Sequence, residues 1–103
     1  MNRIEILKGF LKDNSNDSFS RYALALEYVK LGQNDEALGE FETVSKNDPG
    51  YVATYYQLGQ LYQKLGQKHE AEKTFRTGMT VAAKAGDEHT RSELEAALEA
   101  LSG

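Results

Sequence analysis

Laid over itself at a shift of 34 residues, the chain matches Ser18–Tyr51 with Val52–Ala85 at eleven identical positions. They are Tyr22/Tyr56, Leu24/Leu58, Tyr28/Tyr62, Lys30/Lys64, Leu31/Leu65, Gly32/Gly66, Gln33/Gln67, Glu36/Glu70, Ala37/Ala71, Phe41/Phe75 and Thr43/Thr77. The block Lys-Leu-Gly-Gln, with Glu-Ala two residues on, stands in both copies. A period of this length is the mark of stacked repeats, in which each unit hides its apolar side against the next.

Each copy reads as two helices. Leu24, Tyr28 and Leu31 recur at spacings of four and three, one face of a helix, and Leu58, Tyr62 and Leu65 repeat them. Gly32 and Gly66 follow, residues that enter the left-handed region without a Cβ clash and so end helices. A second stripe, Ala37, Phe41 and Val44, is mirrored by Ala71 and Phe75. Pro49, which has no N–H to donate, stops the first of these helices. Ala83 stands where the second copy would have its proline, so that helix is expected to run on to about Ala85.

Small residues at fixed places carry a family resemblance. The pattern W-x2-L-G-x2-Y, then Ala-x3-Phe, then Pro, describes the tetratricopeptide repeat (TPR). Tyr55, Leu58, Gly59, Tyr62, Ala71 and Phe75 meet it in the second copy; Leu24, Ala25, Tyr28, Ala37, Phe41 and Pro49 meet it in the first. The chain resembles that family over residues 18–85 and departs from it at Arg21, which replaces a large aromatic and has only an aliphatic stem to cover the spot. The resemblance implies an all-α, TPR-type α-solenoid of about six antiparallel helices in a single domain. Residues 1–17 form a half-repeat helix in this reading, with Leu7 and Phe10 standing 34 residues before Phe41 and Val44. Residues 18–51 and 52–85 are the two repeats. Residues 86–103 are a capping helix, apolar at Leu94, Leu98 and Leu101 and solubilised by Glu93, Glu95 and Glu99.

Composition narrows the function classes. Twelve basic and sixteen acidic residues, net −4, give no basic footprint for a phosphate backbone, so nucleic acid is not an expected partner. The absence of cysteine removes disulfides, thiolate nucleophiles and cysteine zinc sites. Met1–Glu5 shows no signal-peptide core, and no apolar run nears the roughly 20 residues of a membrane span, so a cytoplasmic location is expected. The sequon-like Asn16-Asp17-Ser18 is read as chance. His69 and His89, at the starts of different helices, have no ligand spacing, and there is no nucleophile elbow, P-loop or dinucleotide motif. The carboxylates fall on polar helix faces, where burial sufficient to shift a pKa is not expected. No enzyme, metal or cofactor is expected.

The resemblance implies a concave groove lined by the first helix of each pair. It places Phe19, Tyr22, Leu26 and Val29 on that wall from the first repeat, then Ala53, Tyr56, Gln60, Gln63 and Lys64 from the second, with Arg91 as a polar contact from the cap. The implied function is a protein–protein interaction module that takes a peptide or helix of a partner into the groove. Tyrosine offers contact area with a polar tip, as interfaces favour. The family's clamp for chaperone tails, carried over in register, falls on Tyr22, Leu26, Gln57, Asp87 and Arg91; only Arg91 fits. The alternative is a homodimer that uses the same apolar surface. Residues 18–51 carry net −3, 52–85 net +3 and 86–103 net −4, an alternation suited either to neighbouring helices or to opposite patches on two copies.

Overall fold

The computed structural model describes residues 2–102. Those residues form six helices and no strands: α1 (Arg3–Asp13), α2 (Ser18–Lys30), α3 (Asn34–Asn47), α4 (Ala53–Lys64), α5 (Lys68–Lys84) and α6 (Glu88–Ser102). The chain divides into two compact units, one ending at Asp48 and the other starting at Pro49.

The first unit contains α1, α2 and α3. Asn2 caps α1 by accepting a hydrogen bond from the Glu5 amide at 2.9 Å, and Asp17 caps α2 through the Ser20 amide at 3.1 Å. Such caps satisfy backbone donors that have no partner within the helix. Leu24, Ala25, Tyr28, Ala37, Phe41 and Val44 are buried, as the repeat pattern requires. Ser18 Oγ donates to Asp48 Oδ2 at 2.7 Å and ties the start of α2 to the end of α3.

In the second unit, α5 packs against both α4 and α6. Tyr55, Leu58, Tyr62, Ala71, Phe75, Ala82 and Leu94 are buried. Gly78 marks a close approach on α5: an added Cβ would meet Tyr55 Cβ at 2.6 Å and Leu94 Cδ1 at 3.0 Å. The last helical residue of α5 is Lys84, close to the end expected without a proline. Leu94 and Leu101 are buried on α6 and Leu98 is half-buried, while Glu93, Glu95 and Glu99 are exposed.

Three helices end alike. Gly32, Gly66 and Gly86 have φ of 74°, 78° and 72°, and the residue after each donates back to Tyr28, Tyr62 and Ala82 at 2.9, 2.8 and 2.9 Å. A second bond runs from each glycine amide to Val29, Gln63 and Ala83. This paired closure takes up carbonyls that the helix end leaves open.

Arg21 does more than cover an aromatic's place. Its Nη2 donates to the Ser15 carbonyl at 2.9 Å and its Nη1 to Glu40 Oε1 at 2.7 Å. At the equivalent position, Tyr55 Oη donates to the Pro49 carbonyl at 2.5 Å. Both side chains therefore latch onto the chain six residues upstream, by different chemistry.

Two sequence expectations need correction. Leu31, placed with Leu24 and Tyr28, is 61% exposed. It is the C-cap of α2 and borders an open pocket of about 270 Å³ with Asn2, Arg3, Ile4, Glu27 and Lys30, so none of the described residues packs over it. Phe10, aligned with buried Val44, is 52% exposed. The buried side of α1 is Leu7 with half-buried Ile4 and Leu11, a face rotated away from the one the 34-residue alignment gives.

Candidate functional site: the outer faces of α2 and α4

In the first unit, α2 carries the four expected wall residues at spacings of three, four and three, which confines them to one side of a helix. Phe19 is 62% exposed, and Tyr22, Leu26 and Val29 are half-buried. Tyr22 is held from behind by Phe41 of α3, with ring centroids 6.0 Å apart and planes tilted by 59°, a favourable aromatic arrangement. The wall thus has one protruding ring and three side chains that keep one side on the core.

In the second unit, Tyr56 repeats this geometry on Phe75, with centroids at 6.4 Å and a tilt of 45°. Gln60 Nε2 donates to Tyr56 Oη at 3.0 Å, so the phenol and the amide form one polar group on α4. Ala53, Gln60, Gln63 and Lys64 are exposed. This face is polar where the α2 face is apolar.

Arg91 on α6 is already engaged. Its Nε pairs with Glu88 Oε1 at 2.5 Å and its Nη1 lies 3.5 Å from Glu95 Oε2. The Glu88 hydrogen bond, then the Glu88 charge, raise its pKa above the ordinary value. A ligand carboxylate would compete with two resident ones. The remaining clamp-position residues, Tyr22, Leu26, Gln57 and Asp87, present no cation. Asp87 instead caps α6 through the Thr90 amide at 3.1 Å.

The histidines fall in the first turns of α5 and α6, both exposed. Among the described residues no group of three or more His, Cys, Asp or Glu is placed to hold a metal ion, and no helix is long and apolar enough to cross a membrane. Surface pockets of about 270 Å³, beside Leu31, and about 400 Å³, among Pro49, Gly50, Val81, Lys84 and Ala85, are lined by none of the expected wall residues.

Sequence reasoning gave Ile6 (40% exposed) no place and set Phe10 in the packed stripe with Leu7, whereas both are exposed. Ile6 and Phe10 stand four residues apart, but Phe10 is also three from Leu7, so spacing alone did not separate the exposed side from the buried one.

Comparison with known proteins agrees with this architecture. A tetratricopeptide repeat domain protein from Salinibacter ruber, solved by crystallography, is 41% identical; the match covers 84% of this chain and 98% of that one, with a TM-score of 0.81. The TPR2B domain of yeast Sti1, solved in a complex with pHsp70, has a TM-score of 0.89 at 17% identity, covering 96% of this chain and 79% of its own. PcrH, solved with the chaperone binding region of PopD, has a TM-score of 0.88 at 20% identity, covering 96% and 75%. No curated protein matches the chain. The family model described as regulator of microtubule dynamics protein 1-3 matches residues 14–102. With six helices, two hairpins of one period and these matches, the chain belongs to that family and has the tetratricopeptide-repeat fold.

Proposed function

We propose that the chain is a protein-interaction module that holds a short helix or extended segment of a partner protein and carries out no catalysis. The observation that carries this reading is the α2 wall. Phe19 projects from it, and Tyr22, Leu26 and Val29 offer a continuous apolar face beside it. A protruding aromatic in a stripe of half-buried apolar side chains is what a partner's apolar residues can cover, and a few such anchors usually dominate binding. Tyr56, Gln60 and Lys64 on α4, and Arg91 on α6, are the polar contacts in this reading. The solved complexes of Sti1 with pHsp70 and of PcrH with a PopD region support it, since that fold holds protein segments there. A surface of this size fits a transient complex, burying under about 1,200 Å² in total. The chain works in the cytoplasm in this account.

Affinity capture from the native cell, with Tyr22→Ser plus Tyr56→Ser as the control, tests the proposal. A partner held by the wild type and lost by the double variant supports it. A partner retained equally by both, or lost only when α3 is altered, contradicts it.

A further inference from the structure

The outer face of α1 is self-complementary. Arg3, Ile6, Phe10 and Asp13 are spaced three, four and three, the seam spacing of paired helices, and they fall within about a quarter turn of one another. This face lies away from Leu7, Leu11 and Ile4, which face inward. Ile6 is 40% and Phe10 52% exposed. The ends of the stripe carry opposite charge. Arg3 is 60% exposed and pairs with Glu27 of α2 at 3.3 Å, a contact it would share or exchange, while Asp13 has no ion partner among the described residues.

We infer that α1 pairs antiparallel with α1 of a second copy of this chain. A two-fold axis through residue 8 sets Arg3 opposite the second copy's Asp13 and Ile6 opposite its Phe10. Both relations then occur twice, which an isologous interface demands. The charges decide the direction and the occupant: a parallel pair would put Arg3 against Arg3 and Asp13 against Asp13. The face lies ahead of the family-matched residues 14–102, and it is distinct from the α2 wall. Two chains of net charge −4 repel, so the pair is weak and forms at high concentration.

Sedimentation equilibrium of the full chain, from about 10 μM to about 1 mM, reads this directly. The average mass is expected to rise from 11.5 kDa toward twice that value. Phe10→Glu, checked for unchanged helicity and melting, should weaken the pair about 100-fold, because the change enters the interface twice. Asp13→Arg should weaken it several-fold, and Arg3→Asp plus Asp13→Arg together should restore it, since each new charge again meets its opposite. Tyr22→Ser plus Tyr56→Ser should leave it intact. A single-chain mass throughout, a dimer indifferent to Phe10→Glu, a double exchange that fails to restore pairing, or a chain that stays monomeric and uses Phe10 to hold a different protein would each overturn the inference.

Discussion

The edge of the Phe75 ring fills the space that a side chain on Gly59 would need. The two residues come from the paired helices α4 and α5, and Phe75 is fully buried. Gly59→Ala should therefore destabilise the protein by about 1–3 kcal/mol, although alanine is the better helix former. Gly39, exposed in α3 with no atom of the described residues near its missing Cβ, is the matched control, and Gly39→Ala should stabilise by about 0.5–1 kcal/mol. Denaturant midpoints of the two variants should move in opposite directions.

Gly66 has φ of 78° and ends α4. Gly66→Val should cost about 1–2 kcal/mol, because a β-branched residue in the left-handed region clashes with its own backbone. The neighbouring space is open, so the loss would come from the backbone alone. A thermal melt unchanged from wild type would show that the turn closes in another way.

The caps make stability sensitive to acid. The Ser20 hydroxyl, then the Ser20 amide, hold the Asp17 carboxyl below its ordinary 3.8; Thr90 does the same for Asp87. A carboxyl whose pKa is lower in the folded chain stabilises above its unfolded value and loses that contribution as pH falls through the folded one. Stability should thus decline from near 3.8 downward. Asparagine caps nearly as well without titrating. Asp17→Asn plus Asp87→Asn should make that acid decline shallower in melts across the same range, with little change at neutral pH.

Thr54 is completely buried, and its hydroxyl has no hydrogen-bond partner among the described residues. An unpaired buried hydroxyl costs free energy that a methyl group of the same shape does not. Thr54→Val should be neutral to about 1 kcal/mol stabilising, read as a raised denaturant midpoint with unchanged slope. A clear loss of stability would mean the hydroxyl has a partner in solution.

The repeat made most of the helices readable in the sequence. Leu24/Leu58, Tyr28/Tyr62 and Phe41/Phe75 are buried in pairs, and the helix ends fall at Gly32, Gly66 and Pro49 because those residues act through local backbone chemistry. Periodicity served less well where a helix lacks a neighbour on one side. Leu31 and Phe10 carry the right spacing for the core, but a stripe is buried only where another element covers it. The wall residues were legible as positions on α2 and α4. Their polar partners were legible too, since Arg91 stands three and four residues from Glu88 and Glu95 and Gln60 four from Tyr56. The bond from Arg21 to Glu40 was not, because spacing along one helix does not say what the next helix brings beside it.

Amide and methyl NMR of the labelled chain, titrated with the partner segment recovered by capture, tests the central claim most directly. The account predicts that the largest shifts fall on Phe19, Tyr22, Leu26 and Val29 of α2, with smaller ones at Tyr56 and Gln60 of α4. Shifts confined to the opposite polar surface, around Asp35 and Glu42 of α3, with the α2 wall unmoved, would contradict it.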